Sequence, residues 1–478
     1  MSGVNHAVVV AASQRPRQQT AGATEAGTAV DCKPISVRPK DTVFGSLDQQ
    51  TSCVGRYQDV RSPAELERLG DGPLIARGAG VSFVAASFAD GAQSIGMQRL
   101  NRVVAFAPDK KQVTVEAGMT LGALYDFLLP HRFYLPIQPG HPQISIGGCV
   151  ACNVHGKNPQ RDGLFSEQVE SLQLFHPDYG VIELSRQEDP EVFDLTCGGY
   201  GLTGIILTVT LRLAELPGPL VEMRKVPVRD LEDACEKIEE LRSQCDFLYT
   251  WNDVSRFGKS LGRGYVCCGR FDAEASGRDQ PLPRYRPILP PASRGWRPKV
   301  LYPQVIQSLT RIHYHRELRN PVRQAHLCNV LYPGMYGGGY YFGAYGASGF
   351  FGHMVLVPED RWREYVRRLN AALRAHGEPL IALAIKAFRG PQRLLHFNGT
   401  GFSMHSHVPH TARGLRLLEA LERLSDELGM IRTIYFDSRL SARAAQQMYP
   451  QYELFRQRLH RFDPQRRFVS ALSRRLEL

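Results

Sequence analysis

Three glycine-dense elements within about 130 residues constrain this 478-residue chain more than any other feature. The first is Arg77-Gly78-Ala79-Gly80-Val81-Ser82-Phe83, directly after the apolar Pro73-Leu74-Ile75-Ala76. The second runs Pro139-Gly140-His141-Pro142-Gln143-Ile144-Ser145-Ile146-Gly147-Gly148-Cys149-Val150-Ala151-Cys152-Asn153-Val154-His155-Gly156-Lys157-Asn158. The third is Gly198-Gly199-Tyr200-Gly201-Leu202-Thr203-Gly204. Lacking a Cβ, glycine lets backbone turn tightly, approach a ligand and aim several N–H groups at phosphate oxygens. Any one of these elements is explained by a tight turn. Three in succession imply one large, flat ligand lying along backbone. The first loop does not continue as G-x-G-x-x-G opening a helix, so a nicotinamide Rossmann domain is disfavoured.

The pattern around these elements is α+β. Arg102–Phe106 and Gln112–Glu116 read as a hairpin across Pro108-Asp109-Lys110-Lys111. Thr120 then caps a helix whose apolar face is Leu121, Leu124, Tyr125 and Leu128. Val169–Phe175 and Val181–Leu184 form a second hairpin. Asp189-Pro190-Glu191 starts a helix, and Gly201–Leu213 is rich in β-formers. Residues 280–300, rich in Pro and Arg, read as a loop. Two β-α-β units follow. The first is a strand at 350–357, a helix at 360–376 closed by Gly377, and a strand at 380–388. The second is a strand at 402–408, a helix at 411–428 closed by Gly429, and a strand at Ile431–Phe436. Two such units in series suggest one antiparallel sheet with helices on one face. The expected organisation is a leader over 1–40, a ligand-binding domain over 41–216, a substrate or cap domain over 217–445, and a C-terminal segment over 446–478.

Composition excludes several classes. The net charge of +11 comes from arginines dispersed over predicted helices rather than from a basic block, so nucleic acid is not an expected partner. No apolar run reaches the roughly 18–20 residues of a membrane helix. The start, His6–Ala12, is short for a signal peptide and lacks a basic lead-in, so a cytoplasmic protein is expected, at most peripheral to a membrane. Ten scattered cysteines do not make a disulfide scaffold, and Cys149-Val150-Ala151-Cys152 sits among small residues that suggest tight packing. The pairs His313-Tyr314-His315 and His405-Ser406-His407 together could supply four nitrogens. No carboxylate or cysteine completes either locally, so no metal is expected.

The three elements resemble the flavin-binding signatures of the vanillyl-alcohol-oxidase and p-cresol-methylhydroxylase class. Ile146-Gly147-Gly148, Val154-His155-Gly156-Lys157-Asn158, Gly201-Leu202-Thr203-Gly204-Ile205-Ile206, Asp437-Ser438-Arg439, Met448-Tyr449-Pro450, Asp463-Pro464 and the final Arg474–Leu478 are similar to the decaprenylphosphoryl-β-D-ribose 2-oxidases. The likeness spans roughly residues 55–478. It implies a two-domain flavoprotein with FAD as cofactor. The pyrophosphate would lie on Arg77–Phe83 and the isoalloxazine near residues 140–157. The cofactor-binding set is then Arg77, Gly78, Ala79, Gly80, Val81, Ser82, Phe83, Pro139, Gly140, Ile144, Ser145, Gly147, Gly148, Cys152, Asn153, His155, Gly156, Lys157, Gly201, Gly204 and Ile205. The tail would return to the flavin domain. Covalent relatives often carry a histidine in the first loop, where this chain has Val81, so FAD is expected without a covalent link.

The resemblance also implies oxidation of a sugar hydroxyl by hydride transfer to flavin, with oxygen or another acceptor reoxidising it. The substrate would be small and sugar-like, phosphorylated or lipid-linked. The match breaks in the pocket. The family lysine before Asp-Ser-Arg is Phe436 here. Gly352 and Met354 replace two glutamines, and His405 replaces the active-site cysteine. Replacement groups are available nevertheless. Ser403, His405 and His407 share one strand face, and a histidine suits a general base. Lys386, a lone cation in Ala384–Phe388, matches a family lysine, and Tyr314 matches a tyrosine of the pocket wall. His405, Lys386, His407 and Tyr314 are therefore the catalytic candidates. The rebuilt pocket also admits a nucleoside, glycoside or aldonolactone substrate, or an FAD-binding protein without turnover. The sequence does not fix oligomeric state.

Overall fold

The glycine elements hang from two sheets in a computed structural model that describes residues 39–272, 299–332 and 344–478. Residues 1–38 of the expected leader and nearly all of the 280–300 loop lie outside the described residues, while Lys40, placed in the leader, opens the first strand. The first sheet holds β1 (Lys40–Gly45), β2 (Ser52–Asp59), β3 (Leu74–Arg77) and β4 (Gln93–Gly96), in the order β1-β2-β4-β3. β3 ends where the first glycine loop begins, so the sheet aims that loop. The second sheet contains β5 (Val103–Ala107), β6 (Gln112–Glu116), β8 (Val169–His176), β9 (Gly180–Ser185) and β10 (Ile205–Arg212), in the antiparallel order β5-β6-β10-β8-β9. Its period-two pattern buries Val113, Val115, Val209 and Leu211 at 1% exposure or less. β7 (Phe133–Tyr134) pairs with β11 (Ala214–Glu215) beside it.

Short capped helices join the strands. α1 (Leu121–Leu128) starts where Thr120 Oγ1 accepts the Ala123 N–H at 3.2 Å, and it buries Leu121, Leu124, Tyr125 and Leu128 as its spacing requires. α2 (Ile146–Cys152) starts where Ser145 Oγ accepts the Gly148 N–H at 3.3 Å, so the second glycine element contains a helix. α3 (Pro159–Asp162) and α4 (Pro190–Thr196) both open on proline.

The remaining strands make one eight-stranded antiparallel sheet. They are β12 (Leu220–Val228), β13 (Phe247–Asn252), β14 (Gly264–Phe271), β15 (Val322–His326), β16 (Phe350–Pro358), β17 (Ile381–Phe388), β18 (Gly401–Pro409) and β19 (Ile431–Arg432). Their order is β15-β12-β14-β13-β17-β18-β16-β19. α5 (Leu231–Leu241) crosses between β12 and β13. α6 (Pro303–Arg319) and α7 (Leu327–Leu331) flank β15. α8 (Trp362–His376) and α9 (Ala412–Glu427) are the helices of the two expected β-α-β units. α5, α8 and α9 bury their apolar faces against one side of the sheet, through Ile238, Leu369, Leu373, Leu417 and Leu421, all fully buried. Each such side chain contributes about 1.5–3 kcal/mol on burial. Gly377, with φ +61°, closes α8.

One expectation needs correction. The strand expected over Ile431–Phe436 stops at Arg432. Buried Arg432 faces Asp437 at 3.2 Å and Glu422 and Asp426 at 3.6 Å, and the Asp437 N–H bonds Thr433 O at 3.1 Å. These contacts turn the chain and send Tyr435 and Phe436 off the sheet edge. One disulfide is present among the described residues, besides the free cysteines. Cys245, just before β13, is disulfide-bonded to Cys268 on β14, a pairing that spacing did not indicate. Cys149 and Cys152 are free.

α10 (Ala442–Met448), α11 (Tyr452–Phe462) and α12 (Ala471–Arg475) complete the chain. The Leu74 N–H bonds Arg467 O at 2.7 Å, and the Val469 N–H bonds Leu74 O at 2.9 Å. Leu472 and Leu476 are fully buried in one cluster with Ile75 and Val84, on either side of the first glycine loop's base. Arg38–Leu478 thus form one compact α+β unit of mixed helices and antiparallel sheets.

Candidate active site

Strand alternation divides the eight-stranded sheet into a helix-covered face and a second face. Leu383, Ile385, Phe402 and Met404 pack with the helices. The opposite positions are Lys386 and Phe388 on β17, Ser403, His405 and His407 on β18, and Gly352 and Met354 on β16. Cross-strand register places Lys386 beside Ser403, His405 between Ala384 and Met354, and His407 beside Gly352. The expected Ser403–His405–His407 face is therefore one surface, and Lys386 joins it.

The second glycine element meets that surface. Lys386 Nζ donates to Gly156 O at 2.9 Å. His155 Nδ1 lies 2.9 Å from the Tyr435 hydroxyl, and its ring sits 5.0 Å from the Phe388 ring. Lys157 is buried, with Nζ 5.1 Å over the Tyr249 ring. Burial pushes all of these groups toward their neutral forms. The Lys386 ammonium is held well below the usual lysine range, by desolvation first and then by Lys157. Desolvation lowers Lys157 to about 8. His405 falls to about 3 through desolvation and then Lys386, while His155 and His407 also lie well below the usual imidazole range. A neutral imidazole is the form able to accept a proton. His405 Nε2 is buried without a hydrogen-bond partner among the described residues.

Aromatic rings surround His405 and His407. Phe436 is 3% exposed, with its ring centre 4.3 Å from that of His405, 5.7 Å from that of His407 and 4.5 Å from that of Phe83. Phe83 belongs to the first glycine loop, so that loop reaches the same cluster. Gly352 is required by Phe436, because a Cβ there would lie 2.4 Å from its backbone oxygen and 2.6 Å from its ring carbons. His407 Nδ1 meets the Tyr345 hydroxyl.

Much of the glycine elements is half-buried rather than packed away. Residues 76–83 are half-buried without interruption. Ile144, Gly147, Gly148, Ala151, Cys152 and His155 are also half-buried, at spacings that fall on one side of α2 and its ends. That side is built mostly from small residues. Gly78 and Gly80 are dictated by contact. A Cβ at Gly78 would come 2.2 Å from Ser145 Oγ, and Gly80 has φ +73° with the Arg77 guanidinium beside it. Ser145 also caps α2, so the first loop and the helix start are packed together. Backbone in these places, with a shallow small-residue face between them, fits a flat dinucleotide.

Other expected residues are engaged differently. Asn153 accepts the Ser166 N–H at 2.9 Å through Oδ1 and meets His396 Nδ1 at 3.3 Å. Gly204 lies where a Cβ would be 2.6 Å from Phe175 O, and Ile205 is fully buried with Ile95 and Phe468. Gly201 is adjacent to Ile75. Gly140 faces Lys157 Nζ, and Pro139 and Ile144 are half-buried around it. Tyr314, on α6, has Arg263 4.7 Å over its ring and His315 beside it, rather than His405 or Lys386. Sequence reasoning missed Tyr435, Phe388 and Tyr249, and Phe397, whose ring centre is 6.3 Å from that of His155. Tyr435 was hidden by the mistaken strand, and aromatic residues in strands carry no mark separating pocket from core. Among the described residues no group of three or more His, Cys, Asp or Glu side chains is arranged to hold a metal ion.

Comparison with known proteins bears on the cofactor and the reaction class. Residues 53–185 match the family described as FAD binding domain. The chain is 25% identical over 448 residues to decaprenylphosphoryl-beta-D-ribose oxidase of Mycolicibacterium smegmatis, covering 88% of this chain and 92% of that one. It is 35% identical over 118 residues to L-gulonolactone oxidase of Mus musculus, covering 25% and 27%. It is 33% identical over 118 residues to L-galactono-1,4-lactone dehydrogenase of Arabidopsis thaliana, covering 25% and 19%.

Proposed function

We propose that this chain, an FAD-dependent oxidoreductase acting on CH–OH groups with its FAD-binding domain over residues 53–185, oxidises a secondary alcohol of a sugar or sugar-containing substrate to a ketone. The observation that carries this reading is the buried, unpartnered His405 Nε2 on the same surface as half-buried Lys386, which is tied to Gly156 of the second glycine element. A proton acceptor and a cation meet where the flavin elements reach the sheet.

Arg77–Phe83 would hold the pyrophosphate, and Gly147, Gly148, Ala151, Cys152 and His155 would face the ring system. Bound FAD supplies a two-electron hydride acceptor. His405 Nε2 takes the proton of the substrate hydroxyl as the adjacent C–H leaves with its electron pair, so the carbinol becomes a carbonyl. Lys386 and Lys157 place positive charge where negative charge grows during that transfer. Neither has an acidic partner among the described residues, and such preorganised charge is a large catalytic contribution. Phe436, Phe83 and Met354 exclude water from His405 and keep its imidazole neutral. The two lysines also suit a phosphorylated or lipid-linked sugar. The apolar Phe436–Met354 wall favours, as a second reading, a less polar glycoside, nucleoside or aldonolactone. Val81, in place of a histidine, supports non-covalent FAD.

The test is the visible spectrum of the purified protein, before and after acid precipitation, followed by anaerobic titration with sugar phosphates, glycosides and aldonolactones. Flavin released by acid, bleaching by one class, and a product two hydrogens lighter are expected. If dithionite bleaches the flavin and no class of donor does, the protein binds FAD without turning over these substrates.

A further inference from the structure

α6 presents an apolar side to solvent. Its inner side is committed to the fold. Ile306 is 4% exposed, His313 Nε2 bonds the Tyr265 hydroxyl at 2.7 Å, and buried Glu317 pairs with buried Lys225. The outer side carries Tyr302, Val305, Leu309 and Ile312, at 51%, 41%, 53% and 64% exposure. Their spacing of three, four and three residues places them on one stripe. A helix on a globular surface normally has polar residues there.

Basic residues bracket this stripe. Lys299 precedes it, Arg311 and His315 flank it, and Arg316 and Arg319 close its C-terminal end. The single acid in the helix, Glu317, is buried and turned inward. The whole chain carries +11. A second copy laid on the stripe about a two-fold axis would bring these cations against their own equivalents, which is unfavourable. A surface of anionic lipid headgroups satisfies both the apolar stripe and the cations. No helix among the described residues is long and apolar enough to cross a membrane, so contact here is in the interface plane.

We infer that the outer face of α6 docks on an anionic lipid bilayer. Tyr302, Val305, Leu309 and Ile312 enter the boundary between headgroups and acyl chains, and Lys299, Arg311 and Arg319 meet the headgroups, Arg316 being paired with Glu317 at 3.3 Å. Each cation near such a surface raises partitioning about fivefold, an effect that added salt weakens. The inference does not depend on which alcohol the enzyme oxidises.

The experiment is co-sedimentation of the full-length, FAD-loaded protein with vesicles of phosphatidylcholine and phosphatidylglycerol, against phosphatidylcholine alone. Salt-sensitive binding to the mixed vesicles is expected. The paired change Leu309→Asp and Ile312→Asp should weaken it by at least about tenfold, with flavin absorbance per protein unchanged. If that pair loses flavin, Arg311→Ser with Arg319→Ser takes its place, and its expected loss is about 25-fold. Equal binding by variant and parent would overturn the inference, as would indifference of the parent to both vesicle types. A parent dimer that the variant splits would assign the face to a second copy instead.

Discussion

Replacing Lys386 by Met keeps the length and apolar stem of the side chain and removes its charge. The lysine is half-buried, donates to Gly156 O at 2.9 Å, and has been pushed toward neutrality by desolvation and then by Lys157. Two consequences with opposite signs follow. In the protein without flavin, Lys386 binds a proton more readily when unfolded than when folded. It therefore opposes folding at neutral pH, and that opposition fades as pH rises toward the unfolded lysine value. The substitution removes it and gives up one hydrogen bond worth about 1 kcal/mol, so the melting temperature of the flavin-free variant should not fall. Catalysis should fall sharply. Removing one preorganised charge or donor from a site of this kind costs about 100- to 1000-fold, or roughly 2.7–4 kcal/mol. Expressed on a two-electron couple, the same energy lowers the flavin midpoint potential by about 60–85 mV. Stopped-flow reduction under anaerobic conditions and a dye-equilibrated redox titration measure both quantities. A reduction rate within about fivefold of the parent, with an unmoved potential, would refute the argument that Lys386 is the cation of this site. A lower melting temperature with unchanged kinetics would make it a structural residue.

Further outcomes are expected at the site and beside it. His405→Gln should slow flavin reduction by about 100- to 10,000-fold while leaving flavin content intact. In the parent, kcat/KM should show no limb near the ordinary histidine range from His405, because its imidazole stays neutral down to about pH 3, and a loss of rate above about pH 8 should track Lys157 and vanish in Lys157→Met. His353→Phe should stabilise the protein in acid. Both ring nitrogens of His353 are buried without partners among the described residues, and desolvation, then Arg432 and His405, lower it to about 3. The unfolded histidine near 6.5 thus takes up a proton that the folded one refuses, and stability is lost as pH falls below about 6.5 at about 1.4 kcal/mol per pH unit. Melting scans at about pH 7 and about pH 5.5 check this, and a variant no more stable than the parent at the lower pH would contradict it. Gly78→Ala should push the first loop off Ser145, lowering flavin content and stability by about 1–3 kcal/mol, read by absorbance and urea titration.

Much of the α+β pattern was legible because its elements carry strong local signals. Thr120 and Asp189 cap helices where they were expected, and Leu121, Leu124, Tyr125 and Leu128 are buried together. The strands at Gly401–Pro409 and Ile381–Phe388 fall within a residue of their expected limits. Period-two alternation was enough to put Ser403, His405 and His407 on one face, but not to say what lies opposite. The end of β19 was misread because Ile431, Ile434, Tyr435 and Phe436 are good strand formers. The ion pairs of buried Arg432 with Glu422, Asp426 and Asp437 stop the strand, and no hydrophobic period signals them. The disulfide escaped because Cys245 and Cys268 meet through the pairing of β13 with β14.

By itself the sequence determined the cofactor class and the separate elements. Glycine spacing, capping residues and hydrophobic period act over a few residues of chain, and they act in the same way wherever those residues end up. Tertiary structure decided what the pocket is made of. Lys386 comes from β17, Gly156 from the second glycine element, His405 from β18, Phe83 from the first glycine loop, and Phe436 from a turn after β19. Their chemistry follows from that meeting. A lysine and a histidine in water hold ordinary proton affinities. Buried together with few acids near them, they become an unprotonated acceptor and a weakly held cation, because desolvation depends on the whole surrounding fold and on no stretch of chain alone.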